Sequence, residues 1–226
     1  MGVLPQDESR LAAWLADLAR EGLGGLAWAL EGGPGDARGR EALGTFEDEM
    51  GHCPPAARAV LAHVLGRGPE VVVGTGAELE FWRASLAVLG RAGCGEGARA
   101  AGGSLATGHG PLVPDLRQEG LESWTQGELV ALHGLSIGAW RDSGAWARCE
   151  SAARWLMSEV QPDNATNRPW AAHVFLRLWA REGDVEARMY AETLVNNCRV
   201  TLGKVDRLSG LILGSGARVL GAEPTW

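Results

Sequence analysis

The sequence predicts an all-α fold, with antiparallel helical hairpins laid side by side as a ring or an open repeat array. Three observations carry that prediction. Apolar residues recur at helical spacing along most of the chain. Clusters of Gly, Pro, Asn and Asp, residues that favour turns, punctuate the apolar runs. Only Glu70–Val73 reads as β-like, and a lone strand cannot make a sheet.

Taken in order, Glu8–Arg20 is amphipathic, with Leu11, Trp14, Leu15 and Leu18 on one face. Gly22, Gly24 and Gly25 interrupt it, and Leu26–Leu30 resumes as a short helix. Glu31–Arg40, rich in Gly and charge, is the best internal boundary in what otherwise reads as a single domain over residues 1–226. Glu41–Met50 reads as a short acidic helix. Pro54 and Pro55 open Ala56–Leu65, and Ala77–Arg91 is strongly periodic. Ala98–Thr107 is a weak helical run, and Gly108–Asp115, with its two prolines, reads as a loop.

The stretch from Thr125 to Arg181 organises the rest. Leu129, Leu132, Leu135, Ile137 and Trp140 predict a helix over 125–141, with Thr125 as N-cap and Glu128 completing a capping box. In Ala145–Val160, Trp146, Cys149, Ala152, Ala153 and Leu156 form the inward stripe, with Arg148, Glu150, Arg154 and Glu159 outward. Gln161–Asn164 breaks the chain, because Pro162 disfavours helix at Gln161. Thr166 or Asn167 then caps a helix with Pro169 in its first turn and Trp170, His173, Val174 and Leu178 inward. Asp184 caps a helix to Leu202, and Asp206 caps the last one to Leu220.

Within residues 125–220 a period emerges. Ala131-Leu132-His133 and Ala171-Ala172-His173 stand 40 residues apart, and Leu211-Ile212-Leu213 follows in the same register. A period of that length, holding two helices, marks stacked helical hairpins.

Composition narrows the function classes. A hydrophobic fraction of 46% and a charged fraction of 22% suit an ordinary folded domain. The net charge is −7 with no basic block, so no nucleic-acid partner is expected. No apolar run reaches about 18 residues, so no membrane partner is expected either. The opening MGVLPQDESR lacks the features of a secretory leader, which points to the cytoplasm. Cys53, Cys94, Cys149 and Cys198 are too dispersed for a zinc site and read as free buried thiols. The 33 glycines include Gly134 and Gly138 inside a helical pattern, which reads as compositional drift ahead of close helix approach.

Four constellations bear on chemistry. If the hairpins stack, Glu128, His133, Asp163 and His173 are the candidates for acid–base catalysis. Asn164, Asn167, Arg168 and Trp170 are the candidates for binding an acidic or hydroxylated ligand at a rim of helix N-termini. The structural reading of the same residues outweighs the functional one: turn formers, a Glu128–Arg168 pair and satisfied core imidazoles. Glu49 and His52 have a spacing used in carboxylate-bridged metal sites, but no second copy exists, so neither metal nor cofactor is called for. Gly74-Thr75-Gly76 reads as a cap. Gly134-Leu135-Ser136-Ile137-Gly138 matches G-x-S-x-G as a string, but it lies within a helical pattern, whereas a nucleophile elbow needs a strand before the serine.

The segments ELVALHGLSIGAW and NRPWAAHVF resemble α/α-toroid proteins over residues 125–220. That group includes the terpene-cyclase and prenyltransferase-like folds. The resemblance implies inner and outer helices alternating around a central cavity. It also implies, as one function, an enzyme acting on a carbohydrate or isoprenoid by acid–base chemistry. The Asp-rich acid motif, the Gln-x-x-x-Gly-x-Trp repeats and the prenyltransferase zinc ligands have no counterpart here. The leading expectation is therefore a binding or scaffold module, using a concave face or central cavity for a small ligand or protein partner.

Overall fold

The structure is a computed structural model and describes residues 4–25, 27, 108–139 and 143–221. The helices expected at 41–50, 56–65, 77–91 and 98–107, most of 26–30, the 31–40 boundary, and the motifs at Glu49/His52 and Gly74–Gly76 lie outside them. The same is true of Trp140, Cys53 and Cys94.

Every regular element among the described residues is helical. In chain order these are α1 (Glu8–Leu23), α2 (Leu121–Ala139), α3 (Ser143–Glu159), the single turn α4 (Pro162–Ala165), α5 (Ala172–Glu182), α6 (Val185–Leu202) and α7 (Arg207–Gly221). None is long and apolar enough to cross a membrane.

Among the described helices, α1 and α7 share the largest interface. Asp7 starts α1 by accepting from the Arg10 amide at 2.8 Å, which satisfies one of the free first-turn donors. Leu11, Leu15, Leu18 and Ala19 turn inward as the spacing requires. The approach to α7 depends on glycine. A methyl at Gly210 would lie 3.0 Å from the Ala19 carbonyl oxygen. One at Gly221 would lie 3.2 Å from the Ala12 methyl. On α7, then, glycine serves close helix approach rather than drift.

α2 packs on α3, and α5 on α6. Gly183, at φ 71°, ends α5 in the left-handed region open to glycine, and Asp184 accepts from the Ala187 amide to begin α6 at once. Cys149 and Cys198 are free and buried.

Several boundaries differ from expectation. α2 begins at Leu121, four residues before Thr125, so Thr125 is a buried residue inside the helix and Glu128 completes no capping box. The break at Gln161 holds only one residue deep, because Pro162 itself starts the turn α4. Neither Thr166 nor Asn167 caps α5. Thr166 Oγ1 accepts from the Arg168 amide at 3.0 Å, a side-chain turn that leads the chain through Pro169 and on to Ala171. Ala171 adopts φ 57°, and α5 starts only at Ala172. That left-handed alanine is mildly strained. Arg148, expected outward, is 4% exposed.

Candidate functional site

The two imidazoles meet, in the core. His133 and His173 stack edge to face with ring centroids 5.2 Å apart. His133 lies well inside α2, whereas His173 is the second residue of α5, so the pair does not mark a shared rim of helix starts. Both are almost fully buried.

Ser136 completes this cluster. Its hydroxyl donates to the His133 carbonyl oxygen at 2.7 Å, a common arrangement for serine within a helix. Its oxygen also lies 2.6 Å from His173 Nε2. The hydroxyl has a single proton: given to the His133 carbonyl, it leaves Nε2 to donate to Ser136, whereas given to Nε2 it makes the imidazole the acceptor. The first of these arrangements is the neutral Nε2–H tautomer. Burial, aided by the nearby Arg177 guanidinium, pushes its pKa down to about 3. The other edge of the ring faces α7, where a methyl at Gly216 would fall 2.6 Å from Nδ1. The serine of the G-x-S-x-G string thus touches a histidine, but inside a helix. Both side chains are buried, so the pair offers a substrate no access.

Glu128 lies elsewhere on α2, fully buried. It accepts from the Leu112 amide at 2.8 and 2.9 Å and from the Val113 amide at 2.9 Å. Burial pushes its carboxyl up to about 7, against the opposing pull of those two amides and of Arg148. Arg148 is bonded to the same segment rather than to Glu128, donating to the Gly110 and Pro111 carbonyl oxygens at 2.9 Å each. Trp124 Nε1 donates to the Pro114 carbonyl oxygen at 2.8 Å. Arg117 then lies against Trp124 and Trp155, 5.6 and 4.9 Å from their ring centroids, and pairs with Asp115 at 2.8 Å.

The proposed ligand-binding residues gather around Asp206. Arg168 Nη1 pairs with Asp206 Oδ2 at 2.8 Å, not with Glu128. Asp206 also caps α7 through the Ser209 amide at 3.0 Å and accepts from the Ser209 hydroxyl. Trp170 Nε1 donates to Ser209 Oγ at 2.9 Å. Arg168 also lies 5.9 Å from the Trp170 ring centroid. Asn167 Oδ1 is buried and makes no hydrogen bond to described residues. Asp163 is exposed on α4, and Asn164 falls on the same turn. Two clusters result: Glu128 with its backbone segment, and Arg168 with Trp170 on Asp206. The imidazole pair forms a third. Among the described residues no group of three or more His, Cys, Asp or Glu side chains could hold a metal ion.

Sequence reasoning missed Arg148, Arg177 and Asp206 as buried polar anchors. Arg177 lies 4.2 Å from the Trp146 ring centroid and 3.6 Å from Glu8 Oε1, and burial lowers its pKa to about 10. The Asp206 capping position was the one available signal for the second cluster.

Among the described residues, fold and site together define an all-helical structure in which Glu128, Arg148, Arg168 and Asp206 bond to backbone groups and to other side chains of the chain itself. Comparison with protein-family models, with curated proteins and with solved structures gives no match to this chain.

Proposed function

We propose that the chain is a binding or scaffold module, an array of helical hairpins that recognises a protein partner or small ligand through a concave face. The hairpins α2–α3 and α5–α6 are consistent with the toroid or repeat arrangement. One observation carries the reading. Glu128, His173, Arg168 and Trp170 are all engaged in internal bonds, in separate clusters. By contrast α6 presents Val185, Met189 and Val200 on its outer side, with Val200 76% exposed. Exposed apolar side chains on one helix face favour association over catalysis.

A second reading, an acid–base enzyme acting on a carbohydrate or isoprenoid, has one observation in its favour: a Glu128 carboxyl held near 7 suits a general acid. Photocrosslinking separates the two. A crosslinking residue at Met189 or Val200 should capture a discrete partner in the native cell, and one at Asp17, on α1, should not. No discrete product from α6, together with turnover of a sugar or isoprenoid that Glu128→Gln abolishes, would replace the first reading by the second.

A further inference from the structure

We propose that α2 and α3 together form a peptide-recognition site for a segment of the form Gly-Pro-apolar-apolar-Pro-x-x-Arg. The chain's own residues 110–117 occupy it until a partner protein's segment of that form displaces them.

The site is built from one face of each helix. Trp124 and Glu128 stand one turn apart on α2, and Arg148, Trp155 and Glu159 follow one face of α3. Glu128 and Arg148 are charged and almost wholly buried. Every hydrogen bond they make with described residues goes to the main chain of residues 110–113. Leaving such groups buried without partners is costly, so this face requires an occupant.

The geometry also fixes what the occupant must offer, position by position. The Gly110 and Pro111 carbonyl oxygens accept from Arg148 at 2.9 Å each. The Leu112 and Val113 amides donate to Glu128 at 2.8 and 2.9 Å, and the Pro114 carbonyl oxygen accepts from Trp124 Nε1 at 2.8 Å. Proline has no amide to donate, so it is barred from the third and fourth positions. At the second and fifth positions only a carbonyl is used, and there this chain carries proline. Gly110 adopts φ 100°, which asks for glycine at the first position. Leu112 and Val113 are buried, which asks for apolar side chains at the third and fourth. The eighth position is a seat for a cation. The Arg117 guanidinium lies 4.9 Å from the Trp155 ring centroid and 5.6 Å from that of Trp124. It also donates to the Glu159 carbonyl oxygen at 3.3 Å, in the last turn of α3.

Main-chain bonds supply affinity for any chain with this trace, and the side-chain seats select among them. The resident segment joins α2 through Gln118–Gly120 alone, which gives it an effective concentration of order millimolar. A free peptide therefore competes poorly with the intact chain and well with a chain whose own segment is spoiled. The site lies on α2 and α3, so it stands whether or not α6 captures a partner.

Val113→Pro spoils the resident segment by removing one amide and leaves every side chain of the site in place. The probe is a fluorescent synthetic peptide, Gly-Pro-Leu-Val-Pro-Asp-Leu-Arg, titrated into the full chain and read by anisotropy. It should bind the variant at least about tenfold more tightly than the wild type. The same peptide with proline as its fourth residue should bind at least about tenfold more weakly. A second readout needs no variant. The peptide with a photoreactive third residue, at about 1 mM, should attach to α2 or α3 of the wild type, and unlabelled peptide should compete. A folded Val113→Pro chain that binds no peptide, equal binding of the proline-substituted peptide, or wild-type crosslinks that are absent or lie elsewhere would overturn the proposal. A concentration-dependent wild-type dimer that the peptide dissolves would overturn the partner assignment in favour of a second copy.

Discussion

Two buried groups titrate in opposite senses, and that gives a sharp prediction about stability against pH. Unfolded, a glutamic acid ionises near 4.5 and a histidine near 6.5. Folded, Glu128 is raised to about 7 and His173 lowered to about 3. Between pH 4.5 and 6.5 folding therefore places a proton on Glu128 and removes one from His173. The raised carboxyl makes stability fall with rising pH, by about 1.4 kcal/mol per unit. The depressed imidazole makes stability rise with pH at the same rate. The two slopes cancel, so these groups leave the wild type nearly flat across that window. Glu128→Gln removes one slope and uncovers the other. Its stability should climb by about 2 kcal/mol from pH 4.5 to 6.5 relative to wild type. His173→Gln retains a donor toward Ser136 and should slope the other way. Urea unfolding at half-unit pH intervals measures both. A difference curve between Glu128→Gln and wild type that stays level across the window would refute the account of Glu128.

Two packing predictions follow from the same geometry. Gly216→Ala drives a methyl to within 2.6 Å of His173 Nδ1, in a core that cannot easily give. Thermal unfolding should show a loss of about 1–3 kcal/mol, and an unchanged melting temperature would show that the ring is free to move. Asp206→Ala removes the α7 cap and strands Arg168 and Ser209. A loss of about 2–3 kcal/mol is expected, from a cap of about 1 and a partly buried pair; calorimetry giving under 0.5 would contradict that role.

The fold was legible where periodicity and capping residues agree. Asp184 and Asp206 start α6 and α7 as read, because aspartate before an apolar run satisfies free amides from its own position. The inward stripe of α3 also holds from Trp146 to Leu156. Legibility failed where a side chain serves a distant backbone. Thr125 and Glu128 have the spacing of a capping box, yet the helix starts earlier and Glu128 reaches Leu112, 16 residues away. Arg148 looks like a surface residue by its charge, and only the arrival of the Gly110 and Pro111 carbonyls makes its burial tolerable. The meeting of His133 and His173 was anticipated from their 40-residue separation. Their burial agrees with the core reading of both imidazoles, but they do not share a rim of helix starts, because spacing says which face a residue occupies and nothing about how far along its helix it lies.

The central claim is that the imidazole cluster of the core is structural, with His173 held neutral across neutral pH. The most direct measurement is the imidazole nitrogen spectrum of His173 across pH 5–8. The neutral imidazole should persist unchanged over the whole range. A titration with a midpoint between 6 and 7 would contradict it.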